Sequence, residues 1–180
     1  MPSAAVLPRM VSAQAIARKR VAIGFVVAIV TLLAADPTWG SWRAGLLVAL
    51  AGEAMRIWAA GHLEKSREVT RSGPYRWVGH PLYAGSSLVA IGIVIAAQDT
   101  LVTVLAITYM TVTVGAAIRT EESFLRERFG ETYDSYRASR AEPMARRFSL
   151  DRAWRNREYR ALLGLVGGFA LLALKILGNL

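Results

Sequence analysis

The chain of 180 residues contains no cysteine. Disulfides, thiolate metal sites and a cysteine nucleophile are thereby excluded, and the redox compartment is left unmarked. Histidine is almost as scarce. His62 and His80 are the only two, so a histidine-rich metal site is not expected. Acid is outnumbered, 13 Asp and Glu against 22 Lys and Arg, for a net charge of +9. No segment repeats, no tract is of low complexity, and no G-x-G-x-x-G follows a strand-like run, so nothing points to a Rossmann nucleotide fold.

Apolar side chains are what the chain has in excess: 54% of its residues are hydrophobic, more than a soluble domain of this size usually carries. They gather in five stretches, 21–35, 44–61, 82–97, 101–118 and 161–178, each about 15 to 18 residues long. That is slightly under the ~20 residues that cross a bilayer. Basic flanks such as Arg18, Lys19 and Arg20 make up the difference by snorkelling. Barrel strands would be shorter and strictly alternating. The expected fold is therefore all-α, a single membrane domain over 1–180. It is a bundle of about five transmembrane helices with cytoplasmic interfacial helices. The first stretch also has a signal-peptide reading, with basic residues, an apolar core and then "LAADP". Cleavage there would leave four spans and put the basic loops outside.

The charges decide topology. With five spans, 19 of the 22 Lys and Arg lie on one side, in the N-terminal tail, in 62–80 and in 119–160, and only Arg43 lies on the other. The positive-inside rule makes that side cytoplasmic. Topology and anionic lipid account for the basic excess, so nucleic acid is not an expected partner. Glu53 and Arg56 lie one turn apart inside the second stretch. Charge there faces an interior, and the two are expected to pair; the alternative is that they line an acceptor tunnel.

Two clusters carry chemistry. The first is "RSGPYRWVGHPLYAG", 71–85. Ser72-Gly73-Pro74 is a turn, and Pro81 suits the first position of the third helix. His80 then stands at a helix entrance, where it and Arg76 suit a carboxylate or phosphate. Alternatively Tyr75, Trp77 and Tyr83 form an interfacial belt. The second cluster is "IRTEESFLRERFGETYDSYR", 118–137. Here Thr120 could cap a fresh helix, Glu122 could pair with Arg126, and Phe124, Leu125 and Phe129 form an apolar stripe. Gly130 is a helix-stop signal.

Together the clusters are more specific. They resemble the isoprenylcysteine carboxyl methyltransferase and phospholipid methyltransferase superfamily of integral membrane enzymes. Its pattern is close to G-x-Y-R-x-x-R-H-P-x-Y-x-G, then R-x-E-E-x-x-L-x-x-x-F-G-x-x-Y-x-x-Y. This chain meets it at Gly73, Tyr75, Arg76, His80, Pro81, Tyr83 and Gly85, then at Arg119, Glu121, Glu122, Leu125, Phe129, Gly130, Tyr133 and Tyr136. The resemblance covers 70–140. It implies an S-adenosylmethionine site between the motifs, with Arg76, His80, Tyr83 and Gly85 on one side and Glu121, Glu122 and Tyr136 on the other. With two histidines and no cysteine, no metal is expected. Glu121 is the candidate base or acceptor-orienting group, and Arg76 the candidate to orient a carboxylate acceptor. The acceptor would be a lipophilic small molecule or a lipid, and the site cytoplasmic.

Two departures matter. Gly79 stands where the family often has Arg before His-Pro, which argues against a carboxylate acceptor. A fifth apolar stretch follows the second motif, and its Gly164 and Gly168 are spaced for close packing, either within the bundle or in a homodimer through the last helix. Membrane NADPH-dependent reductases of the sterol type share H-P-x-Y and the later tyrosines and are the rival enzyme class; a non-enzymatic membrane scaffold is the other rival.

Overall fold

The computed structural model describes residues 22–178, and within them the chain is all-helical, without strands. The helices are α1 (Ala22–Ala34), α2 (Trp39–Ala60), α3 (Pro81–Ala97), α4 (Thr100–Phe129), α5 (Glu131–Arg137), α6 (Leu150–Arg155) and α7 (Tyr159–Gly178), with a 3-10 turn at Gly73–Arg76. Each apolar stretch is thus a helix. Two of them, α4 and α7, are long and apolar enough to cross a membrane. The signal-peptide reading and the basic tail of the first stretch lie outside the described residues.

The ends follow from local chemistry. Thr38 caps α2 by accepting from Ser41 N, and the Ser41 hydroxyl accepts from Thr38 N in return. Pro81 opens α3, as its missing N–H allows. Asp99 caps α4 by accepting from Val102 N at 2.8 Å. Gly130, at φ 47°, ends α4 in a conformation other residues rarely adopt. One expectation fails here. No fresh helix begins at Thr120, because α4 runs on through it, and the Thr120 hydroxyl donates to Ala116 O one turn back at 2.9 Å. The two glutamates therefore sit on the last turns of one long helix.

The closest packing is between α2 and α3. A Cβ at Gly52 would lie 2.6 Å from Gly85 O, and one at Gly92 would lie 2.5 Å from Gly45 O. Only small residues allow the backbones this close. A buried cluster at one end joins Ala35, Ala49, Ala96, Val102, Leu165, Phe169 and Leu172. Trp42 Nε1 donates to Phe169 O at 2.8 Å, fixing α7 against α2. Lys175 Nζ donates to Leu32 O and Leu33 O, satisfying the carbonyl end of α1. By contrast α4 buries only Val102, while Val104, Ile107 and Val112 are exposed. Such an apolar, unpacked helix suits lipid rather than water. Among the described residues, Gly164 and Gly168 meet nothing within 4 Å of an added Cβ.

After α5 the chain runs without regular structure to α6 and straps the connection that follows α2. Arg146 grips Glu68 with both terminal nitrogens, at 2.6 and 2.8 Å. Arg152 Nε donates to Glu64 at 2.9 Å, and Asn156 donates to Ala60 O and Leu63 O. Phe148 covers Gly61 and lies beside the buried His62 ring. Burial, then Arg152 and Arg146, hold the His62 pKa below its usual value, so the ring is neutral and shares a hydrogen bond with Ser72 Oγ at 3.1 Å.

Candidate active site

The turn at 72–76 and the entry to α3 bring His80 against the end of α4. His80 Nε2 and Glu122 Oε1 are 3.1 Å apart, and His80 Nδ1 and Glu121 Oε2 are 3.8 Å apart. One imidazole therefore bridges the two motifs, with a carboxylate at each ring nitrogen. Glu122 does not pair with Arg126, as helical spacing predicts. It forms an ion pair instead with Arg137, whose Nη2 lies 3.3 Å from Glu122 Oε1, while Arg126 pairs with Asp134. Tertiary geometry outweighs an exposed i, i+4 pair here, since such pairs are worth only ~0.2–0.5 kcal/mol.

Around this bridge lies a cavity of about 740 Å³. His80, Tyr83, Glu121, Tyr75, Tyr133 and Tyr136 supply polar atoms to its wall. Apolar wall comes from Leu82, Ala116, Ala117, Phe124 and Leu125, and the connection after α2 adds Lys65, Glu68 and Thr70. The volume is that of a site for a cofactor-sized molecule. The Tyr136 hydroxyl donates to Tyr75 O at 2.8 Å, tying α5 to the first motif. Burial, with Tyr133 next, raises the Tyr136 pKa to about 12. Burial and then Glu121 push Tyr75 far above the usual phenol range. Both phenols are thus neutral donors at any working pH. The Tyr133 hydroxyl is buried without a partner in the protein.

The candidate residues divide. His80, Tyr83, Glu121 and Tyr136 line this cavity. Glu122 stands behind His80. Gly85 is packed against α2, where its added Cβ would meet Gly52 O at 2.7 Å and Arg56 Cγ at 2.6 Å. Arg76 is exposed, lies over the Trp77 ring and lines a second, smaller cavity. The belt reading also divides, with Tyr75 buried and Trp77 71% exposed beside Trp58.

Several participants escaped the sequence reading. Arg137 is one. A Cβ at Gly79 would lie 2.9 Å from Arg137 Nη1, so this guanidinium occupies the space beside the side-chain-less position 79. Position 79 thus has an arginine beside it, supplied from α5. Arg137 directly follows Tyr136, which is the one signal that marked it. Glu158 is another. Arg56 pairs with Glu53 at 3.5 Å, as expected, but it also donates to Glu158 at 2.8 Å and to Ser86, and it lines the cavity. Arg56 thus both pairs with Glu53 and lines the cavity, which Glu53 does not.

A family model described as phospholipid methyltransferase matches residues 44–132, which hold most of α2, all of α3 and α4, and the His80–Glu121–Glu122 bridge. The nickel-cobalt-cadmium resistance protein NccN of Alcaligenes xylosoxydans xylosoxydans is 33% identical over 150 residues, covering 76% of this chain and 68% of that protein. The chain belongs to the phospholipid methyltransferase family. That family is part of the superfamily of integral membrane methyltransferases to which the motifs pointed. The cobalt-zinc-cadmium resistance protein CzcN of Cupriavidus metallidurans is 32% identical over 121 residues, 62% of this chain, and the chain spans 55% of that protein's length. No solved structure matches. The family match ends before Tyr133, Tyr136, Arg137 and Glu158, so part of the cavity wall lies beyond it.

Proposed function

We propose that the chain transfers a methyl group from S-adenosylmethionine to a lipophilic or amphiphilic acceptor at the cytoplasmic face of a membrane, within a bundle of five spans whose N-terminus is cytoplasmic. The cavity in which the two motifs meet at His80 carries this reading. Its donor set fits the cofactor. Glu121 and Glu68 suit an ammonium and ribose hydroxyls, His80 and the neutral phenols suit polar edges, and the His80 and Tyr83 rings, 5.8 Å apart, offer a shelf for adenine. The unpartnered Tyr133 hydroxyl is a donor to be satisfied.

When bound, S-adenosylmethionine supplies an already activated methyl on sulfonium. What the protein adds is alignment and exclusion of water. Glu122, ion-paired with Arg137, holds the His80 ring from behind. Glu121, 40% exposed at its side chain, takes the proton from a thiol or ammonium acceptor, or orients an acceptor that has none to lose. The apolar wall of Leu82, Ala116, Ala117 and Phe124 admits a hydrocarbon chain from the lipid side.

The relatives are named for metal resistance. Our reading rests instead on the family match and on the cavity at which the two motifs meet. Membranes carrying the chain, given methyl-labelled S-adenosylmethionine, should place label in the organic-soluble fraction, and Glu121→Gln should abolish it. Oxidation of NADPH in place of labelling would favour the reductase class.

A further inference from the structure

The smaller cavity, about 390 Å³, lies beside the first and shares Tyr75, Gly79 and Tyr136 with it. Its wall carries Arg71, Arg76 and Arg137, with Trp77 and Ser139, and no carboxylate. Arg137 is balanced by Glu122 at 3.3 Å. Arg71 and Arg76 have no ion-pair partner among the described residues. Arg71 Nε is buried and lacks an acceptor within the protein. Glu142 lies between the lining residues Ala141 and Pro143 but is itself exposed and outside the wall.

Three guanidiniums around one hollow repel each other, and a buried donor without an acceptor costs free energy. An arrangement of this kind is stable when an anion with several acceptor oxygens sits among them, and planar Arg forks match phosphate in particular. The rim adds a location. Trp58 and Trp77 are exposed, with ring centroids 6.1 Å apart, and Arg76 covers the second ring. Exposed tryptophans of this kind mark headgroup depth. We propose that Arg71, Arg76 and Arg137 form a phosphate-binding site separate from the methyl-transfer cavity. It would take the phosphate of an anionic lipid headgroup or free phosphate.

The test uses the full chain in detergent and in phosphatidylcholine nanodiscs. Inorganic phosphate is titrated in detergent, and phosphatidic acid is added to the nanodiscs. Arg71→Gln and Arg76→Gln should each weaken binding of the effective probe by about 10-fold or more, the loss of a hydrogen bond to a charged group. Arg67→Gln, whose side chain is 81% exposed, is the control and should change nothing. Arg76 is exposed as well, so its replacement leaves the fold intact. Binding of phosphatidic acid but not inorganic phosphate would identify a headgroup site, and the converse a site for the free anion; both support the proposal. S-adenosylhomocysteine should bind together with the probe. Its displacing the probe, binding undiminished in both variants, or no binding of either probe to the unaltered chain would each overturn the proposal.

Discussion

Arg137→Ala offers a graded test of how the site is held. Arg137 reaches Glu122 at 3.3 Å, and Glu122 in turn fixes His80 at 3.1 Å. The Arg137 side chain is 45% exposed, so the pair is screened and contributes roughly 0.2–1 kcal/mol. If Arg137 acts only through Glu122, its loss weakens S-adenosylhomocysteine binding by at most about 5-fold, since 1.4 kcal/mol corresponds to tenfold. Because its guanidinium fills the space beside Gly79, an arginine placed at 79 should take over. Gly79→Arg alone puts two cations in one place and should lower thermal stability in detergent. Gly79→Arg with Arg137→Ala should restore both stability and affinity. Titration calorimetry and thermal unfolding read these outcomes. A loss near 100-fold in Arg137→Ala, or no recovery in the double variant, would refute this account of Arg137.

Packing, pH and topology give further expectations. Gly85→Leu drives a side chain into Gly52 O and Arg56 and should destabilise the bundle by about 1–3 kcal/mol, seen as a lowered Tm in detergent. His62 has a folded pKa below its ordinary 6.5. Stability is therefore full above that pH and falls below it, because the unfolded chain takes up a proton that the folded chain refuses. Unfolding curves between pH 7.5 and 5 should show this decline, and His62→Asn should flatten it. Single cysteines at the exposed Ser66 and Ser139 should be shielded from impermeant reagents in intact cells, and labelling of both from outside would contradict the five-span topology.

The helices were legible because composition alone marks them, and all five apolar stretches are helical. Their ends were less so. Thr120 looked like a cap, yet α4 continues through it, because nothing in the local sequence breaks the helix before Gly130. The meeting of the two motifs was legible from their residue types, and His80 does lie between Glu121 and Glu122. Contacts between distant segments were not. Arg137 beside Gly79, Glu158 on Arg56 and the Arg146–Glu68 grip join residues 58 to 102 positions apart, and no periodicity encodes such pairs. The place of Arg76 was not legible for a related reason: it ends the 3-10 turn at Gly73–Arg76 and lines the smaller cavity, which spacing alone does not reveal.

On the proposed reading, His80 and Glu121 hold S-adenosylmethionine in the larger cavity. Calorimetry of S-adenosylhomocysteine on the detergent-purified chain tests it most directly, with His80→Ala and Glu121→Gln compared against Arg67→Ala. Each of the first two removes one hydrogen bond to a charged group, about 1.5–3 kcal/mol, and should weaken binding by about 10- to 150-fold. Arg67→Ala, a solvated charge, should leave affinity unchanged. Saturable binding lost in both site variants and kept in the control is the predicted result. No binding to the unaltered chain, or equal binding in all four proteins, would contradict the account.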